Sequence, residues 1–203
     1  MLSYLLAVVT AAALPGGLGI SAGTSISSFS PVESGYDSRF RTPGVAYGLV
    51  ASLDAPGPLV FHIGGEYFSK TASSGWDGEV NSFLIWAFPC GQLDIMDGFS
   101  MFAGPGIVGV SGDYSGTDDF GSFVEEDGSG VGFAASAGTD IGLWGPLSAR
   151  FEYRHAWMDM KSDRVIKDGT ETVLYPAVET DLGYSQYLFS INVELLPVDQ
   201  DGN

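Results

Sequence analysis

Basic residues are scarce in this 203-residue chain. Eight Lys and Arg stand against 25 Asp and Glu, a formal net charge of −17. That balance excludes nucleic acid as a partner, because phosphate binding draws on Lys and Arg. Cysteine is nearly absent too. Cys90 stands alone, so no intramolecular disulfide can form. It follows Pro89 near a strand end and reads as a small inert hydrophobe rather than a nucleophile. No apolar run approaches the roughly 20 residues of a spanning helix. HExxH, CxxC and the phosphate-loop pattern are missing, which leaves no motif for a metal or a nucleotide. No cofactor is expected.

What is present has a different character. Hydrophobic residues make up 45% and aromatics 13%, with 29 glycines, while charged residues reach only 16%. Globular chains average nearer ~25% charged. Pro and Gly punctuate the sequence throughout, and long helical patterns are lacking. Such a chain suits an all-β protein that meets lipid by alternation.

The stretch Leu147–Lys161, LSARFEYRHAWMDMK, carries the clearest signal. Successive strand residues point to opposite faces. One face holds Leu147, Ala149, Phe151, Tyr153, His155 and Trp157; the other holds Ser148, Arg150, Glu152 and Arg154. Two of the eight basic residues fall in the middle of this strand with Glu152 between them. Charges at that place suit a narrow tube with paired ions inside and hydrocarbon outside.

Eight such segments run along the chain: Leu18–Ser28, Gly44–Leu53, Leu59–Lys70, Val80–Phe88, Phe99–Val110, Val131–Leu143, Leu147–Met160 and Tyr184–Leu195. The fourth and fifth alternate poorly and are apolar on both faces. Each has roughly the nine to eleven residues of a tilted membrane strand. The connections alternate in length. Asp54–Pro58, Gly91–Gly98 and Trp144–Pro146 are short; Phe29–Pro43, Thr71–Glu79, Ser111–Gly130 and Lys161–Gly183 are long. Short turns at one rim and long loops at the other make the outer-membrane pattern. The expected fold is an eight-stranded antiparallel up-and-down transmembrane β-barrel over 18–196. Residues 1–17 before it are expected to be a signal segment, led by the apolar Met1–Ala13, and 197–203 a C-terminal tail.

Buried ions need partners. One interior network of Glu66, Arg150, Glu152, Arg154 and Glu194 is therefore expected to fill the tube. His62 is expected to hydrogen-bond a polar neighbour inside. Tyr67, Trp86, Tyr153, Trp157 and Tyr187 are expected on the aromatic girdle. Asp113, Asp118, Asp119, Glu125, Glu126 and Asp127 crowd one loop but lack the ordered calcium-loop spacing, so a solvated loop without metal is expected.

FEYRH (Phe151–His155), FAGPGIVGV (Phe102–Val110) and the closing YLFSINVEL (Tyr187–Leu195) resemble the small outer-membrane β-barrel superfamily of the OmpA/OmpX type. Members often end on a terminal aromatic, whereas this last strand ends at Leu195–Leu196. EYRH also resembles the strand of outer-membrane lipid A deacylases, which carry a His-x-Ser pair facing lipid. His155 is on the matching face, but Trp157 occupies the Ser position. A Ser–His hydrolase needs its hydroxyl within reach of the imidazole, and an indole cannot attack an ester.

The resemblance implies a monomeric, non-enzymatic barrel in the outer membrane of a Gram-negative-type bacterium. It would serve envelope structure, adhesion or binding through its loops. Its partners would be outer-membrane lipid, the barrel-assembly machinery and an extracellular ligand. Two alternatives compete: a lipid-modifying enzyme, and a soluble lipocalin-like barrel with an apolar interior and a wet exterior.

Overall fold

The computed structural model describes residues 16–30, 44–55, 57–71, 78–117 and 121–195. Met1–Ala13, most of the Phe29–Pro43 connection, Asp118, Asp119 and 197–203 lie outside them. The described residues form β1 (Gly16–Ser30), β2 (Gly44–Asp54), β3 (Leu59–Thr71), β4 (Gly78–Met96), β5 (Phe99–Thr117), β6 (Phe123–Trp144), β7 (Leu147–Asp168) and β8 (Glu171–Leu195). Each pairs antiparallel with the next, and β1 pairs with β8 to close the barrel. Closure leaves no unpaired edge, as lipid requires. β1 begins at Gly16, two residues before the expected boundary.

Most strands are longer than expected. β7 has 22 residues and β8 has 25. The expected long loops Ser111–Gly130 and Lys161–Gly183 are largely strand. β5 and β6 pair out to Thr117 and Phe123, and β7 and β8 out to Asp168 and Glu171. These segments are polar, and polarity suggests loop. Backbone pairing continues past the membrane regardless, since a hairpin in water satisfies its own ladder. The tight turns follow local chemistry: Gly98 and Gly145 sit at φ 75° and 57°, where residues with a Cβ are disfavoured.

The outside is apolar. Val131 and Phe133 are 79% and 75% exposed. Tyr47, Leu49, Phe61, Ile63, Ile107 and Phe189 continue the belt around the wall. Exposed Trp144 and Trp157 mark its two edges. From Leu147 to Trp157, at about 3.3 Å per residue and a tilt of about 40°, the belt is about 25 Å tall, the height of a barrel's lipid-facing band. A lipocalin-like barrel would turn a wet face outward, and this one does not.

The inside is layered. Toward the short-turn rim it holds Ser52, His62, Glu66, Ser136, Arg150, Glu152, Arg154, Gln186, Ser190 and Asn192, set among the buried rings and apolar side chains of Val60, Phe88, Cys90 and Phe102. Above them, toward the long hairpins, it is apolar: Phe68, Val80, Leu84, Val108, Val110, Met158 and Met160 are all buried. The ion network expected to fill the tube thus shares it with an apolar layer. β4 and β5 send apolar side chains inward at both levels, Val80, Leu84, Val108 and Val110 above and Trp86, Phe88, Cys90 and Phe102 below, which is why they look apolar on both faces. Higher still, Glu126, Ser162 and Arg164 form a second polar layer.

Candidate functional site

Arg154 holds the lumen together. Its side chain is fully buried. Nη1 donates to Glu66 Oε1 at 2.8 Å, and Nη2 donates to Glu152 Oε1 at 2.8 Å. Ser136 Oγ donates to the same Glu152 oxygen at 2.6 Å. The guanidinium lies over the Trp86 ring, 3.9 Å from its centroid. In the barrel order β7 and β3 are separated by three strands on either path, so they face each other across the lumen. The Arg154–Glu66 ion pair therefore spans the tube. Desolvated charges survive there because each finds an opposite charge, and the aromatic face adds cation–π attraction.

Of the expected members, Glu66, Glu152 and Arg154 come together. Arg150 is buried nearby but pairs elsewhere. Its Nε and Nη2 reach Asp140 at 2.7 and 3.0 Å, and Nη2 also reaches Ser52 at 3.1 Å. Asp140 is its direct neighbour on β6, and that proximity decides the partner. Glu194 does not join. It is exposed at the short-turn rim, with its backbone N–H donating to the Pro146 carbonyl. The alternation placed its backbone on β8 but not its height.

His62 is buried as expected, yet its ring nitrogens find no protein hydrogen bond among the described residues. The ring packs edge-on against Phe102 at 4.6 Å. The hydroxyl beside it, on Ser52, already accepts from Arg150. Glu66 Oε2, Trp86 Nε1, Arg150 Nη1, Gln186 Nε2 and Asn192 Nδ2 likewise lack a protein partner. Ordered water is what satisfies such groups in folded proteins.

Trp86 is not on the girdle. It is 1% exposed and points inward. Gly64 lies directly across on β3, and a Cβ there would run into the indole. Gly106 makes the same room for Phe88. These glycines let large rings enter a narrow tube. A paired reading of Gly64 against Trp86 would have revealed the placement, but cross-strand register is not printed in one strand's sequence.

The other girdle residues do face outward. Tyr67 packs on Tyr47 and donates to Asn81 Oδ1 at 2.7 Å. Tyr153 packs on Tyr187 with ring centroids 5.1 Å apart. Trp157 meets His155 edge-on at 4.3 Å. His155 Nδ1 is 2.8 Å from Ser185 Oγ, and Tyr153 Oη is 3.3 Å from the same oxygen. Ser185 escaped the sequence reading because it comes from the neighbouring strand. The hydroxyl missing at position 157 is thus supplied from β8. No carboxylate hydrogen-bonds His155 among the described residues. A GxSxG spacing does occur at Gly19–Gly23, but it lies inside β1 rather than on the strand-to-helix turn of a nucleophile elbow.

Within the acidic segment, Asp113 and Glu125–Asp127 are paired backbone, not open loop. Asp113, Asp127 and Asp163 stand side by side across β5, β6 and β7. Glu126 turns inward instead, accepting from Ser162 and, at 2.9 Å, from Arg164. No cluster of metal-ligating side chains forms among the described residues.

The family profile for the outer membrane protein β-barrel domain matches residues 1–194. No curated protein sequence matches. Among solved structures, the chain is similar to a major outer membrane protein from Thermus thermophilus, with TM-score 0.59 and 11% identity over 87% of this chain and 99% of that one. It is also similar to Neisserial surface protein A, with TM-score 0.55 and 12% identity over 88% and 96%. A third similar structure is OprG from Pseudomonas aeruginosa, with TM-score 0.55 and 12% identity over 90% and 97%.

Proposed function

The chain belongs to the outer-membrane β-barrel protein family, and from that premise we propose that it is a closed, non-enzymatic envelope barrel that displays long hairpins at the cell surface. It sits in the outer membrane of a Gram-negative-type bacterium. The observation that carries the reading is the Arg154–Glu66 pair across the lumen. An ion would have to displace that pair and then cross the apolar layer of Phe68, Leu84, Met158 and Met160. Dewetted apolar constrictions are barriers by themselves.

The long hairpins carry the remaining role. From Trp157 to Asp168, β7 runs on for roughly 35 Å along the strand at about 3.3 Å per residue. That is far beyond the belt. In this family's pattern the long connections face outward, so the hairpins would meet an extracellular ligand. One similar structure is itself named a surface protein. The barrel-assembly machinery and outer-membrane lipid are its other proposed partners, with the barrel as a monomer.

Single-channel recording in a planar bilayer tests the reading. The wild type should give no conductance steps. Reproducible steps from the folded, heat-modifiable protein would make it a pore and end the proposal.

A further inference from the structure

Three polar side chains interrupt the apolar belt just below Trp157. They are Tyr153, His155 and Ser185, joined by the two hydrogen bonds through Ser185 Oγ. The neutral cluster holds three donor hydrogens: two hydroxyl O–H groups and one imidazole N–H. Two hydrogen bonds use two of them. One donor is left over whichever way the bonds run, on His155 Nε2, on Tyr153 Oη or on Ser185 Oγ. A donor facing hydrocarbon with no acceptor is costly. The rings around it, Trp157 against His155 and Tyr187 against Tyr153, are weak acceptors only.

The depth of the cluster says what the acceptor is. Trp157 marks the upper edge of the belt, and the exposed Asp159 follows it on the same face. His155 is two residues below Trp157, about 5 Å beneath the edge at the usual strand rise and tilt. Headgroup charges lie above that level and alkyl chains below it. The acceptors found between them are the carbonyl oxygens of acyl esters. Below the cluster, the tilted ring pairs Tyr153–Tyr187 and Phe151–Phe189 make an aromatic track running toward mid-membrane.

We propose that Tyr153, His155 and Ser185 bind the acyl-ester carbonyl of one outer-leaflet lipid, with its chain laid along that aromatic track. The site lies on the outer wall and goes beyond the reading of the lumen. It rests on that reading only for which leaflet it faces, and a conducting barrel would leave the site untouched.

Native mass spectrometry tests it. The protein is reconstituted in vesicles with equal amounts of a diacyl phosphatidylethanolamine and its dialkyl ether analogue, then released in mild detergent. The wild type should retain the ester lipid over the ether by about two- to tenfold, as one net hydrogen bond implies. The variant carrying Tyr153→Phe, His155→Phe and Ser185→Ala should retain the two equally. A preference unchanged in the variant overturns the site, and so does equal retention by the wild type when lipid A, in the second arm, is not retained either. A second arm uses lipid A as the ester lipid. Retention of either ester, lowered in the variant, supports the site; retention of neither overturns it. A measurement on the wild type alone guards against a variant that fails to fold. The infrared stretch of a 13C-labelled ester carbonyl should move to lower wavenumber in retained lipid, and a band at the bulk-lipid position overturns the proposal.

Discussion

Arg154 on β7 and Glu66 on β3 reach each other across the full width of the barrel, nitrogen to oxygen at 2.8 Å, with neither side chain exposed. Eighty-eight positions of sequence separate them. Removing one partner of such a pair leaves the other charge buried without compensation. Glu66→Ala should therefore cost about 3–5 kcal/mol. Urea titration of the protein folded in lipid vesicles measures it. A silent substitution would mean that the remaining contacts of Arg154, Glu152 and the Trp86 ring among them, suffice to hold it.

Glu194 offers the contrast. Its strand face groups it with the same network, but it is exposed at the rim. Glu194→Ala should change stability by no more than about 0.5 kcal/mol, as for ordinary surface positions. The same titration reads it, and a cost near that of Glu66→Ala would return Glu194 to the lumen.

Phe151 sits on the lipid face, half exposed, its ring tilted against that of Phe189. Phe151→Arg should cost on the order of 2–4 kcal/mol near mid-membrane. Refolding yield in vesicles and the urea midpoint should fall together. Tolerance of the arginine would show that this face does not meet hydrocarbon.

Gly64→Ala should be costly without changing any charge. The added methyl meets the Trp86 ring and the Leu49 carbonyl. Overpacking of this kind costs about 1–3 kcal/mol. Tryptophan fluorescence should report the displaced indole. A variant with wild-type stability and emission would place Trp86 elsewhere.

The Ser185–His155 contact invites a test of the non-enzymatic reading. The imidazole receives no carboxylate among the described residues, and backbone N–H groups on the flanking strands are engaged in the ladder. Incubation with lipid A or phospholipid should release no free fatty acid. Release that disappears in Ser185→Ala would make the barrel an esterase.

Trypsin on intact cells should cut after Lys167, which is exposed beside the Gly169–Thr170 turn. Cleavage only after the envelope is broken would turn the barrel over.

Period-two reading carries far in this chain. It places β7 face by face, because Arg150, Glu152 and Arg154 alternate with Phe151, Tyr153 and Trp157 and no other geometry separates them. It fails where both faces are apolar. In β4, Phe83 and Ile85 face out while Leu84 and Trp86 face in. Side-chain chemistry there is the same on both sides, and only the glycines across the ladder decide. It fails also along the strand axis. Alternation gives a face but not a height, so it puts Glu194 beside Arg154 and does not pair Asp140 with Arg150. Polarity reads as loop in 111–130 and 161–183, although paired backbone is indifferent to whether its side chains meet water. Ser185 needs the register between two strands, which no single segment contains.

The ion pair across the lumen also bears on how the barrel comes into being. A sheet that has paired all its strands but not yet curled shut holds Glu66 and Arg154 on the same face of an open ribbon but four strands apart. In that state the guanidinium keeps Glu152, a near neighbour on its own strand, but lacks the carboxylate on β3. Each intermediate curvature is thus penalised until the last one. The β1–β8 seam and the bridge from β3 to β7 are completed by the same motion. Half-closed forms are then poorly populated, and assembly approaches an all-or-none event. Weakening this one contact should broaden the unfolding transition as well as lower its midpoint.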